Sequence, residues 1–295
     1  MSKSGSRPKG GRKGGPKGGQ YRAKKRLGQN FLADRGVIED IVAGSGTGED
    51  DLVIEIGPGM GALTEPAAKA ARRLVAIELD SDLVPGLKAR FALDSSVEII
   101  EGDILETDLC ALIEEQRAKD PGIDKVRVMG NLPYYITTPI IMKLLEDEVP
   151  AASITIMMQK EVAERIMAEP GGKDYGALSI ACQYHCRVSE VCDAPAEAFR
   201  PQPKVDSKVL RLDLREEKAV SPNDEKLFFD VVKAGFSQRR KTLSNCLASL
   251  CADAENAKQA AAGMLEKAGI DPARRAETLT MEEFARLADT FAETR

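Results

Sequence analysis

The 295-residue chain contains no tryptophan, only 4% aromatic residues and a single histidine, His185. No apolar run approaches the roughly 18 residues needed to cross a bilayer, so no membrane partner is expected. The basic N-terminus is not followed by the apolar stretch of a secretory signal, which makes a soluble cytoplasmic protein the expectation. Six cysteines (Cys110, Cys182, Cys186, Cys192, Cys246 and Cys251) show no repeated C-x-x-C spacing and are expected to be reduced thiols. Cys182, Cys186 and Cys192 cluster with His185. Their uneven spacing, in a strand-like context that would alternate their faces, counts against a metal site, and none is expected.

Acidic residues are missing altogether from residues 1–26, which carry ten lysines or arginines; with a net charge of −5, the rest of the chain holds −15. A basic arm on an acidic body suggests phosphate contacts in the arm, against the plainer reading of a solubilising tail. Residues 1–20 are Gly, Lys, Ser and Pro with almost nothing apolar. Such a segment cannot bury enough surface to offset its ordering entropy and is expected to be disordered.

From about Leu27 the chain turns globular. Leu52-Val53-Ile54-Glu55-Ile56 reads as a buried strand, followed by a Gly-rich turn and a helix from Thr64 to Arg73. Strand-like runs return at Leu74 to Glu78, Val97 to Ile100, Val126 to Met129, Ile154 to Met158, Leu178 to Cys182 (extending toward Val188) and Val209 to Leu212. Short continuous apolar runs alternating with helices imply a Rossmann-like, doubly wound α/β sheet of seven strands. Beyond about Arg215 no strand pattern appears. Ser221-Pro222-Asn223-Asp224 reads as a helix N-terminus, and Thr280-Met281-Glu282-Glu283 as a capping box. The expected organisation is a basic arm (1–26), an α/β domain (27–218) and a small all-helical domain (219–295).

Glu55-Ile56-Gly57-Pro58-Gly59-Met60-Gly61 sits between a strand and a helix, where glycines let the backbone turn sharply and approach a ligand. Nineteen residues after Gly59, Glu78 ends the next strand, where a carboxylate can accept both hydroxyls of a ribose. That pair alone fits NAD, FAD or S-adenosylmethionine. Asp103, closing the third strand, can bind the exocyclic amine of a cofactor adenine. Asn131, after the fourth, opens Asn131-Leu132-Pro133-Tyr134. All these groups fall at the C-terminal ends of consecutive strands, where open α/β sheets bind ligands.

An Asn/Asp-x-Pro-Tyr/Phe tetrapeptide in this place marks enzymes that methylate planar amino groups. The amine of adenine is a poor nucleophile because its lone pair is delocalised into the ring. The Asn131 amide oxygen and the Leu132 carbonyl can accept its two N–H bonds and aim the lone pair at a methyl carbon. Pro133 stiffens the turn, and Tyr134 offers a ring for stacking, worth about 1–3 kcal/mol per base. No strong general base is needed, because a sulfonium is already a good leaving group. The position of His185 outside every motif agrees with this.

Taken together the chain resembles the ribosomal RNA adenine dimethyltransferases, most closely those of the bacterial small subunit. The resemblance runs from Leu27 to about Leu250. It is carried by Leu27-Gly28-Gln29-Asn30-Phe31-Leu32, the Gly57 loop, Asn131 to Pro139, Met158 to Arg165, Pro170 to Gly176, Phe199 to Ser207 and Phe236 to Leu243. It implies that Asn30 and Leu32 contact S-adenosylmethionine alongside Gly57, Glu78, Asp103 and Asn131, and that Phe199 faces Tyr134 across the target base. It also implies the substrate, two adjacent adenosines in a hairpin near the 3′ end of small-subunit (16S) rRNA. Each would be methylated twice at N6 during ribosome biogenesis, by a monomer acting on a partly assembled 30S subunit.

Lys160, Arg165, Lys173, Arg200, Lys204, Arg239, Arg240 and Lys241 would supply phosphate contacts. A base worked on at its edge must first leave its stack. Three other readings compete: a resistance-type methyltransferase of large-subunit rRNA, a non-catalytic assembly factor on the same fold, and a nicotinamide oxidoreductase. Pro58, Pro139, Lys160-Glu161 and Arg239-Arg240-Lys241 count against the first, the intact Glu78, Asp103 and Asn131 to Tyr134 against the second. The third lacks any set of groups for hydride transfer.

Overall fold

The computed structural model describes Lys24, residues 27–251 and residues 256–294. The expectations for residues 1–20 therefore lie outside the described residues. Among the described residues nine strands occur in chain order: β1 (Phe31–Leu32), β2 (Leu52–Ile56), β3 (Arg73–Glu78), β4 (Val97–Glu101), β5 (Val126–Asn131), β6 (Ser153–Gln159), β7 (Cys186–Ala194), β8 (Phe199–Arg200) and β9 (Ser207–Leu214). Seven build one sheet in the order β4-β3-β2-β5-β6-β9-β7, and β1 pairs with β8. The first five strands of the sheet are parallel, whereas β9 runs antiparallel to both β6 and β7.

Continuous apolar strands give the sheet two dry faces. Leu52, Ile54 and Ile56 pack with Val128, Ile156 and Leu210 on one side. Val53 packs with Leu74, Ala76 and Met129 on the other. Between β2 and β5 the winding direction reverses, because β2 is followed in sequence by its neighbour on one side and bordered by β5 on the other. At such a point the loops diverge and leave a crevice at the carboxyl ends of the strands.

Three expectations are corrected. The run Leu178 to Cys182 is helical, within the helix Ala177–His185, and the strand begins only at Cys186. The helix is apolar almost all round because both its sides are covered. Cys182 enters the sheet core, while Ile180 and Tyr184 enter a second core made by the C-terminal helices. A buried helix of this kind cannot be told from a strand by periodicity. Cys182 therefore lies on a helix, and the strand-like context invoked against a metal cluster does not extend to it.

Second, the helix after Ser221 starts at Glu225, capped by Asp224, whose carboxylate accepts the Leu227 N–H at 2.9 Å. Serine and aspartate are comparable cap residues, and the carboxylate adds a charge that the positive end of the helix dipole favours. The residues before it serve another contact: the Asn223 N–H donates to Asp289 at 2.8 Å. Third, the helix opening at Thr64 closes at Ala70, and Arg73 already belongs to β3.

The capping box at Thr280 is present, opening the helix Met281–Ala292. With Glu225–Gly235, Leu243–Cys246 and Ala257–Lys267 it encloses the second core, around Phe228, Leu247, Leu265 and Phe284.

Candidate active site

Glu55 to Met60, Ile77 to Leu79, Gly102 to Ile104 and Asn131 to Ile136 line one cavity above the carboxyl ends of β2 to β5, and Leu27 to Leu32 close it as a strap. Asn30, Leu32, Gly57, Glu78, Asp103, Asn131, Leu132 and Tyr134 all line it.

The glycine turn is left-handed at Gly57 (φ 66°) and Gly59 (φ 59°), a region costly for any residue with a Cβ. At Gly59 space is also short, since a Cβ would fall 2.9 Å from the Phe31 ring. Glu78 is held from two directions. Its Oε2 accepts the Gly59 N–H at 2.9 Å and its Oε1 the Asp80 N–H at 2.8 Å. Burial pushes this carboxyl above its ordinary value, and the two N–H groups oppose that shift. Each oxygen keeps a second acceptor site for a ligand hydroxyl. Asp103 Oδ1 accepts the Leu105 N–H at 2.9 Å, turning the chain away from β4.

Asn131 ends β5, and its Nδ2 donates to the Asn30 carbonyl at 2.9 Å. That contact leaves Oδ1 as the acceptor available to the cavity. The turn beyond Leu132 is closed by Pro133, whose carbonyl accepts the Ile136 N–H and the Thr137 hydroxyl, both at 3.1 Å. The half-buried Tyr134 has its hydroxyl 2.8 Å from Ser207 Oγ.

Phe199 stands apart from the other site residues. It is fully buried with Leu32, Ile41, Met157 and Val209, and it is not part of the cavity wall. The pairing of Leu32 with Phe199 across β1 and β8 sets this position. His185 is also remote, stacked on Phe229 at 5.9 Å. Among the described residues no group of three or more His, Cys, Asp or Glu could hold a metal.

Sequence reasoning gave Glu55 no role. It is 1% exposed in the middle of β2, it lines the cavity, and its Oε2 has no hydrogen-bond partner. Burial pushes its carboxyl up to about 7, with the neighbouring Glu78 charge adding to the shift. The signal was available, an acid inside the run Leu-Val-Ile-Glu-Ile. An orphaned buried carboxylate oxygen, a second carboxylate poised for hydroxyls and a left-handed glycine turn together suit a cationic nucleoside such as S-adenosylmethionine.

Of the proposed phosphate contacts, Lys160, Lys173, Arg200, Lys204, Arg239, Arg240 and Lys241 are exposed. Arg165 is partly covered and paired with Glu161 at 2.8 Å. Arg239 donates to the Lys173 carbonyl at 3.4 Å, bringing two of the basic segments side by side.

A family model described as ribosomal RNA adenine dimethylase matches residues 20–293. The chain is 49% identical over 274 residues to the ribosomal RNA small subunit methyltransferase A of Shouchella clausii, covering 93% of this chain and 91% of that protein. It is 48% identical over 271 residues to the protein of the same name from Clostridium perfringens, covering 92% and 91%. Among solved structures, a dimethyladenosine transferase from Plasmodium falciparum matches with a TM-score of 0.72 at 26% identity, over 87% of this chain and 95% of that one. The 23S rRNA methyltransferase ErmE shares the fold, with a TM-score of 0.64 at 24% identity over 89% and 100%.

Fold and site together define an S-adenosylmethionine-dependent methyltransferase. Within that class, the chain belongs to the ribosomal RNA adenine dimethylase family.

Proposed function

We propose that the protein transfers methyl groups from S-adenosylmethionine to N6 of two adjacent adenosines in a hairpin near the 3′ end of small-subunit rRNA. The products are N6,N6-dimethyladenosines, made during small-subunit biogenesis. The observation that carries the amine chemistry is the anchoring of Asn131: its Nδ2 is tied to the Asn30 carbonyl, which leaves Oδ1 as an acceptor, and Asn131 and Leu132 both line the cavity. Two acceptors so placed take the two N–H bonds of an adenine amine and align its lone pair, a contribution of orientation and electrostatics.

The bound cofactor supplies an electrophilic methyl carbon on a sulfonium. Glu78 would hold its ribose and Asp103 its adenine amine, with Gly57, Asn30 and Leu32 shaping the walls. Tyr134 stacks on the target base. Phe199 takes the opposite face only after the base has entered, since its ring is otherwise packed against Leu32.

Residues 27–218 serve as the catalytic domain and 219–295 as the RNA-docking domain, with the arm 1–26 and the exposed lysines and arginines meeting phosphates. The enzyme acts in the cytoplasm, as a monomer, on a partly assembled 30S subunit. The support for the small subunit is the near-full-length identity to proteins named for it. Labelled S-adenosylmethionine, offered with under-methylated small subunits or with large subunits, tests the reading. Label on two neighbouring adenines of small-subunit rRNA is expected; label confined to the large subunit would sink it.

A further inference from the structure

We propose that Asp80 is a positioning residue for the cofactor site, clamping the strap 27–32 over the cavity through Lys24 and Gln29 while fixing Glu78 from its other side. The inference rests on the assignment of S-adenosylmethionine to this cavity. Asp80 lies two residues past Glu78, is 2% exposed, and is absent from the cavity wall.

Its bonds form a ring. Oδ2 accepts from Gln29 Nε2 at 2.8 Å, and Oδ1 from Lys24 Nζ at 2.5 Å. Gln29 Oε1 in turn accepts the Lys24 N–H at 2.8 Å. The Lys24 ammonium also reaches Asp82 Oδ2 at 2.5 Å, and the Asp82 N–H returns to Asp80 Oδ1 at 3.1 Å. From the same residue, the Asp80 N–H donates to Glu78 Oε1. One carboxylate and its own amide thus join the strap to the ribose-binding position.

The mechanical sense of this lies in how the strap is anchored. At its downstream end the strap is held by backbone pairing, Phe31 with Arg200 and Leu32 with Phe199, continued by Ala33 N–H to the Ala198 carbonyl at 2.8 Å. At its upstream end the side chains around Asp80 do the holding. Between the anchors lie Gly28, in a left-handed turn against Tyr135, and Asn30, whose carbonyl orients Asn131. A strap fixed at both ends keeps Asn30 and Leu32 in the wall. Released at the upstream end, it swings on β1 and the cofactor leaves faster.

Every methyl transfer consumes one cofactor, so the cavity beneath the strap exchanges its ligand once per transfer. A latch of charged groups, with Lys24 24% and Asp82 65% exposed at their side chains, suits repeated opening better than a greasy seal. Water and salt can replace its partners.

The test uses the full chain and measures S-adenosylmethionine binding by calorimetry, methyl transfer to small subunits, and hydrogen exchange of amides 27–32 without cofactor. Lys24→Met is expected to weaken binding roughly tenfold and Asp80→Ala up to about a hundredfold, chiefly through faster dissociation. The double variant should bind no worse than Asp80→Ala, because both changes break one unit. With saturating cofactor, kcat should stay within about threefold, since the bound cofactor keeps the strap closed and Asn30 in place beside Asn131. Exchange at 27–32 should rise in both variants.

Unchanged affinity and exchange in Lys24→Met, a partly exposed site where folding is not at risk, would overturn the proposal. So would additive effects, or equal losses of affinity and kcat with exchange at 27–32 unaltered. Failure of the wild-type protein to bind S-adenosylmethionine would instead overturn the cofactor assignment beneath it.

Discussion

Asn131 divides its amide between two tasks, Nδ2 for the Asn30 carbonyl and Oδ1 for the cavity. Asn131→Ala removes an oriented acceptor of the kind whose loss costs about 10²–10³ in rate. Methyl transfer should therefore fall to background while thermal unfolding changes little, which activity assays beside calorimetric melts would check. Glu55 makes a different prediction. With its carboxyl raised from an ordinary 4.5 to about 7, the folded state holds a proton that the unfolded chain releases earlier. The stability this provides is complete below pH 4.5 and is lost as pH rises through 7. Glu55→Gln should flatten that decline in the cofactor-free protein and become the more stable form by roughly 3 kcal/mol at pH 8. Urea melts of both proteins at pH 5 and pH 8 would show it, and parallel curves would count against it.

At the scale of elements, the capping box at Thr280 fixes the start of the last helix. Thr280 Oγ1 accepts the Glu283 N–H at 3.3 Å, Glu283 Oε2 accepts the Thr280 N–H at 2.9 Å, and Arg274 grips the same carboxylate with both nitrogens. Thr280→Ala should cost about 1 kcal/mol, measurable as a lower urea midpoint with an unchanged slope; a midpoint equal to wild type would refute it. This box was legible because its chemistry is local, four residues in a row. The parallel strands were legible for a related reason, since a short apolar run ended by a glycine or an acid suits little except a buried strand meeting its loop. Failures came where the deciding contact was distant. Leu178 to Cys182 reads as a strand because the partners that cover the helix Ala177–His185 lie up to a hundred or so residues further on. The residues before Asp224 were misread in part because Asn223 is held by a distant partner, Asp289. In the candidate site, Glu78 and Asn131 end strands and Asp103 follows one by two residues, which made their shared cavity legible. The Asp80 ring stayed hidden, since nothing local in Leu79-Asp80-Ser81-Asp82 says that Lys24 and Gln29 will close on it.

At the scale of the whole molecule, charge is segregated: ten positive residues in the first 26 and −15 on the remainder. Counterion release makes RNA affinity fall with salt in proportion to the phosphates neutralised. Deleting residues 1–20, which removes Lys3, Arg7, Lys9, Arg12, Lys13 and Lys17, should weaken RNA binding and flatten its salt dependence. Titrations at several salt concentrations check this, and an unchanged slope would return the arm to the role of a solubilising tail.

The helix Ala177–His185, shared between two cores, also has a consequence in time. A ribosome finishes this helix, with the sheet residues that cover its Cys182 side largely in place, well before it has made the helices that cover Ile180 and Tyr184. About a hundred residues separate Tyr184 from the end of that covering, roughly 5–20 s of elongation at 5–20 residues per second. For that interval the nascent chain carries an uncovered apolar stripe along Ile180 and Tyr184, so the order of synthesis leaves this helix half-packed until the last helices emerge.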